Sequence, residues 1–129
     1  MLTALLFTSC KDAIEKKAED AVIQAMTSGQ WTVTNYTRGS TDATASFSGY
    51  TFQFKENQTV DALKNSSVEK TGTWVGNGTK QTIETSFSNA TEPLLLLNGL
   101  WQITKTTWTS VDAYQDVNGE HRVLKLAKQ

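Results

Sequence analysis

The side chains able to do chemistry are few and far apart. The chain has one cysteine, Cys10, and one histidine, His121. A catalytic imidazole needs a nucleophile or an acid held beside it, and no motif of that kind surrounds His121. Its parity with Val123 and Lys125 points it out of a strand. Asp112, Asp116, Asn118 and Glu120 make an oxygen-rich stretch nearby. A calcium loop needs ligands at alternate positions, a glycine bend and a later bidentate glutamate. Tyr114 interrupts that pattern, so the stretch reads as a solvated turn. Glu56, Asp61, Glu69 and Glu84 are too scattered for sequence to pair them. No catalytic residue, metal site or cofactor is expected, and the chain is not expected to be an enzyme. One thiol excludes an internal disulfide, so Cys10 needs another reason.

Cys10 closes the run Leu5-Leu6-Phe7-Thr8-Ser9 and is followed at once by Lys11-Asp12. An apolar stretch, two small residues, a cysteine and a charged segment resemble the lipobox of a bacterial lipoprotein. The resemblance implies cleavage before Cys10 and lipid on the new N-terminus. Residues 1–9 are then the remnant of a signal peptide, and the protein is held in the cell envelope. Either face of the outer membrane, periplasmic or surface, fits. A secretory signal runs about 15–30 residues from a basic start, so the natural start is expected upstream of Met1. Residues 2–9 are too few to span a bilayer, which needs ~20 apolar residues.

The chain has 129 residues and a net charge of −1. That length reads as one domain with a modest core. Its charges are scattered without a basic stripe, so a nucleic-acid partner is not expected. Asn35, Asn57, Asn65, Asn77 and Asn89 open sequons, read as unglycosylated in a bacterial lipoprotein. Nothing in the sequence gives the oligomeric state.

Residues 10–28 read as the lipidated cysteine plus a helix. Ile14, Ala18, Ala21, Val22, Ala25 and Met26 recur at helical steps over 12–27. Asp12 and Glu15 have capping-box spacing, and Ser28-Gly29 supplies a stop. The helix either caps the domain or acts as a spacer above the membrane.

After Gly29 alternation replaces helical spacing. Eight strands are predicted, at 30–37, 48–56, 58–64, 69–76, 79–87, 100–106, 108–115 and 120–127. Asn77-Gly78 and Asn118-Gly119 are type I′ hairpin signals; Glu56-Asn57 and Asn65-Ser66 look like further turns. Asn98-Gly99 could make a hairpin, but a short helix through Pro93 and Leu94–Leu97, begun at Thr91 and ended by Gly99, is preferred. One longer connection remains, residues 38–47. Such a meander leaves two raw edges unless it closes. The expected fold is therefore all-β: an eight-stranded antiparallel up-and-down barrel preceded by an N-terminal helix.

Gly29-Gln30-Trp31 resembles the Gly-x-Trp signature of lipocalins. More closely, residues 29–128 resemble lipocalin-like lipoproteins of Bacteroidetes-type bacteria. The shared elements are Trp31-Thr32-Val33 with Tyr36, Asp42 and Thr44, Phe47-Ser48-Gly49-Tyr50-Thr51-Phe52-Gln53-Phe54, Thr59-Val60, Gly72-Thr73-Trp74, and Leu97-Asn98 with Trp101-Gln102-Ile103. That resemblance implies a lipocalin-like barrel over 29–128 and an envelope location, and no assigned activity. It also implies that Arg122, from a late strand, covers Trp31 by cation–π contact. The alternative is an exposed arginine with its stem on the surface.

Tyr36, Tyr50, Phe52, Phe54, Trp74, Trp101 and Trp108 are the candidates for lining a small-ligand pocket; the alternative is barrel core. Residues 38–47 lie where lipocalins place the lid, which makes Asp42 and Thr44 candidates for a functional edge. Alternatively these two fold the loop on itself through side-chain-to-backbone bonds. Two functions compete. One is a membrane-anchored protein holding a small apolar molecule. The other is a module with a solid barrel that meets an envelope protein or glycan through its loops.

Overall fold

The computed structural model describes residues 21–129. Cys10, residues 1–9 expected as a signal remnant, and the first part of the helix expected over 12–27 lie outside the described residues. The helix is described over 21–27 and ends where Ser28-Gly29 predicts. Gly29 takes φ +98°, a conformation that L side chains rarely adopt, and turns the chain from helix into strand. The hydroxyls of Thr27 and Ser28 donate back to the Ile23 and Ala25 carbonyls (2.7 and 3.2 Å). They cover acceptors that the last turn leaves open.

Nine strands follow: β1 (Trp31–Arg38), β2 (Thr41–Asp42), β3 (Tyr50–Phe54), β4 (Thr59–Lys64), β5 (Ser67–Asn77), β6 (Thr82–Ser86), β7 (Gly99–Thr106), β8 (Ser110–Val117) and β9 (Glu120–Lys128). Eight match the predicted strands. The two-residue β2 is an extra, folded out of the first connection. Every pairing is antiparallel, consecutive from β3 to β9, and β9 returns to β1. The result is the expected closed eight-stranded barrel.

Turn chemistry explains the connections. Asn118 and Gly119 both have positive φ (51° and 81°), as do Asn65 and Ser66 (50° and 71°). These are the two-residue turns that a twisted hairpin favours. Asn77-Gly78 departs from the expected turn. β5 runs through Asn77, which pairs with Thr82. The Asn77 carboxamide oxygen accepts the Lys80 N–H (3.0 Å), and positive φ falls on Gln81. A side-chain acceptor thus builds a longer loop where the dipeptide alone implied a tight one. The preferred helix after Pro93 is present as a 3-10 turn, Leu94–Leu97.

The barrel has two ends. At the first, the helix end, lie Trp31, the end of β9 and the loops 55–58, 78–81 and 107–109. At the other, here called the rim, lie the 39–49 connection, turns 65–66 and 118–119, and the long segment 87–98. Residues of the helix plug the first end: Met26 is buried, and Val22 and Ile23 pack on the core. Over the described residues 21–27 the helix caps this end of the barrel. Gly72 shows how tightly the wall is packed. A Cβ there would lie 2.4 Å from the Ser86 carbonyl oxygen and 2.7 Å from the Phe87 ring.

One seam is irregular. β1 pairs with β9 from Trp31↔Lys128 to Arg38↔Arg122, but meets β3 only at Trp31↔Phe52. Beyond Trp31 the two strands diverge. The first connection fills the gap with β2 and the 3-10 turn Thr44–Phe47. Phe47 is buried against Tyr36, ring centroids 5.3 Å apart.

Candidate functional site

The inside of the barrel holds most of the aromatic residues expected to line a pocket. Tyr36, Tyr50, Phe52, Phe54, Trp74 and Trp101 all point inward and are buried. They meet one another rather than framing a space: Tyr50 stacks on Phe52 at 6.1 Å, Phe54 meets Trp74 edge-on at 5.2 Å, and Tyr36 meets Trp101 at 5.9 Å. Their polar atoms are used at the two closures. Trp31 and Trp74 donate to the Met26 and Lys55 carbonyls (3.0 and 2.8 Å) at the helix end. Tyr36 and Trp101 donate to the Leu96 and Leu97 carbonyls (2.6 and 2.9 Å) at the rim. The room left between them is an apolar void of about 30 Å³, bounded by Phe52, Phe54, Val60, Trp101, Val111 and Leu124 among others. Ligand pockets begin at roughly 300 Å³.

Trp108 does not belong to this set. It is 57% exposed, because β8 starts at Ser110 and residue 108 sits in the β7–β8 turn, where strand parity no longer governs direction.

Arg122 also departs from expectation. Antiparallel pairing of β1 with β9 puts Lys128, not Arg122, beside Trp31. The Lys128 ammonium lies 5.1 Å from the Trp31 ring and 4.9 Å from the Trp108 ring. Its stem passes 3.4 Å from where a Cβ on Gly29 would be. Arg122 stands at the rim instead. Its Nε donates to Glu120 Oε1 (2.7 Å), which also accepts from Arg38 Nε (3.1 Å). Arg38 Nη1 reaches Glu92 (3.3 Å). Arg122, then Arg38, hold the Glu120 carboxyl below the usual carboxylate range. Burial pushes the nearby Tyr36 phenol up.

Asp42 and Thr44 come together. The Thr44 hydroxyl and N–H donate to Asp42 Oδ1 (2.6 and 2.9 Å). The same hydroxyl oxygen accepts the Tyr36 N–H at 2.9 Å, and the Tyr36 carbonyl accepts the Ala43 N–H at 2.8 Å. This pair satisfies the β1 backbone where β3 has left it.

The rim carries a feature that the sequence reading did not find. A polar groove of about 310 Å³ runs between β5 and the 87–98 segment, lined by Tyr50, Glu69, Lys70, Asn89, Thr91 and Glu92. The Tyr50 hydroxyl donates to Glu69 Oε2, and Lys64 Nζ sits 4.4 Å over its ring. Burial first, then the Glu69 carboxylate, push the Tyr50 phenol up to about 12. Nothing in the spacing of 69 and 89–92 signals that one segment folds against the other. The groove offers donors, acceptors and both charges, which suits a polar ligand or a partner chain.

His121 is exposed, as its parity implies, and its Nδ1 lies 2.8 Å from Asp116 Oδ1. The oxygen-rich stretch divides: Asp116 goes to His121, Glu120 to the arginines, and Asp112 pairs across the sheet with Lys105 and Lys125.

No protein-family model matches the chain, and no curated protein matches it. Among solved structures it is similar to a crystal structure of a DUF4847 family protein from Bacteroides vulgatus. The TM-score is 0.58 at 14% identity, over 84% of this chain and 99% of that one. At that identity the likeness establishes the fold, a closed antiparallel barrel, and not the chemistry. The neighbour comes from the bacterial group whose proteins the sequence resembles.

Proposed function

We propose that the protein is a lipid-anchored interaction module of the cell envelope. In this reading Cys10 carries the lipid, the barrel core is structural, and the rim recognises another envelope protein or a glycan. The filled interior carries the reading. A void of about 30 Å³ is far below the roughly 300 Å³ of a small-ligand site. The competing idea, a small apolar molecule held among the barrel aromatics, would need that core to repack around its guest. Interiors packed at crystal-like density resist this. Polar groups crowd the rim: the Glu69–Glu92 groove and the Arg38–Glu120–Arg122 cluster lie beside the seam-filling connection.

Native mass spectrometry of protein purified from its own host tests this reading. The expected mass is the processed chain plus covalent lipid on Cys10, with no small apolar molecule retained. A stoichiometric apolar ligand would overturn the solid-barrel reading. A free Cys10 thiol would overturn the anchor.

A further inference from the structure

We propose that the helix end of the barrel is a membrane-contact face, with Trp108 seated in the headgroup layer of an anionic bilayer. The chain has four tryptophans. Trp31, Trp74 and Trp101 are buried, and each indole N–H donates to a backbone carbonyl. Trp108 is 57% exposed, and its indole has no hydrogen-bond partner among the described residues. An indole is large, apolar and tipped by one donor, so it is most at home where hydrocarbon meets water.

Its position matches that chemistry. Trp108 shares a groove of about 350 Å³ with Ala21, Val22, Ala25, Gln81 and Thr106, against the helix that leads back towards Cys10. From Cys10 to Ala21 the chain reaches at most ~40 Å when fully extended. A lipid on Cys10 therefore tethers the domain through this end and within reach of the bilayer. Charge agrees. Lys80, Lys105, Lys125 and Lys128 lie at this end, and Lys128 Nζ stands 4.9 Å from the Trp108 ring. At the rim, Arg38 and Arg122 are engaged by Glu120 and Glu92. The helix end also carries Glu56, Asp61 and Asp112, but its lysines, Lys55 included, outnumber them. At the rim, Lys64, Lys70, Arg38 and Arg122 stand among Asp42, Glu69, Glu92, Asp116 and Glu120. An anionic headgroup would therefore meet a lysine excess at the helix end.

The inference rests on the proposed anchor, yet it is testable without it. The full chain with Cys10→Ser carries no lipid. It is mixed with vesicles of phosphatidylcholine and phosphatidylglycerol in equal parts, and with vesicles of phosphatidylcholine alone. The expected result is flotation with the anionic vesicles only, with tryptophan emission quenched by lipids brominated near the headgroup. Trp108→Ala should weaken partitioning by about tenfold, in line with loss of half an indole from the interface. Lys80→Gln and Lys105→Gln should each weaken it about fivefold. Unchanged partitioning of Trp108→Ala, or acrylamide quenching as strong with anionic vesicles present as without them, would overturn the proposal. Neither outcome bears on the anchor, whose failure appears separately as a free thiol in protein from the host.

Discussion

The Trp31 indole donates to the Met26 carbonyl across 3.0 Å, and both side chains are buried. The bond joins the first residue of the barrel to the last turn of the helix. It fixes the plug through a carbonyl that the helix itself leaves unpaired.

Trp31→Ala should therefore cost ~3–5 kcal/mol, as for other large buried aromatics. Trp31→Phe keeps most of the packing but strands the carbonyl, which should cost about 1–3 kcal/mol. Urea unfolding measures both. Hydrogen exchange should show faster exchange over 21–27 in the Phe variant. If exchange there is unchanged, the bond does not hold the helix.

Trp31 should couple energetically to Lys128 and not to Arg122. Lys128 lies over its ring, whereas Arg122 pairs with Arg38 at the far end of β1. A double-mutant cycle for Trp31 with Lys128→Met should give an interaction energy above ~0.5 kcal/mol. The cycle with Arg122 should be additive within that margin, as for residues more than about 10 Å apart. A strong Arg122 coupling would mean that the two ends communicate through the core.

Much of the fold was legible because it rests on short-range physics. Alternation at Tyr50, Phe52 and Phe54 sets the inner face. Positive-φ turns at Asn65-Ser66 and Asn118-Gly119 set the meander, and Gly29 sets the helix end. What escaped was where strands give out. Parity carries no information at Trp108, which lies in a turn. The Arg122 expectation followed a family resemblance, whereas antiparallel order alone would have put Lys128 beside Trp31. The rim groove depends on residues 87–98 folding against β5, a non-local contact with no periodic trace.

Stability should fall in acid through Asp61. Lys55 Nζ lies 2.8 Å from its carboxylate, and Thr71 donates to it at 2.7 Å. These contacts, Lys55 first, hold the carboxyl below its ordinary 3.8. A lowered folded value means stability that is present above the unfolded pKa and lost as pH drops through the folded one. Wild type should thus lose melting temperature below about pH 4 more steeply than Asp61→Asn. Parallel curves would remove Asp61 from the account.

Tyr50 gives the opposite sign. Its phenol is raised from 10.0 to about 12, so the neutral form is favoured by folding. The associated stability is present below pH 10 and lost as pH climbs towards 12. In a spectrophotometric titration of the native protein, Tyr50→Phe should remove a late-titrating phenol. Glu69→Gln should bring that phenol earlier.

Thr44→Ala removes the acceptor for the Tyr36 N–H and should cost about 1–3 kcal/mol. Thr44→Ser, which keeps the hydroxyl, should cost less than half of that. Equal losses in the two variants, read by urea unfolding, would mean that the methyl and not the hydroxyl matters.

The seam between β1 and β3 also decides how this barrel would misbehave. Along most of its length β1 has one strand partner and one improvised partner, the short connection bearing Asp42 and Thr44. Ladder bonds are cooperative, whereas a patch of side-chain acceptors opens piecemeal. When that patch lifts, the barrel uncovers a row of backbone donors and acceptors, the template on which a second molecule adds a strand. Oligomers formed under mild destabilisation should therefore be joined through β1, either edge to edge or by exchange of β1 between copies, and the sequence just beyond Trp31 is where resistance to aggregation is decided.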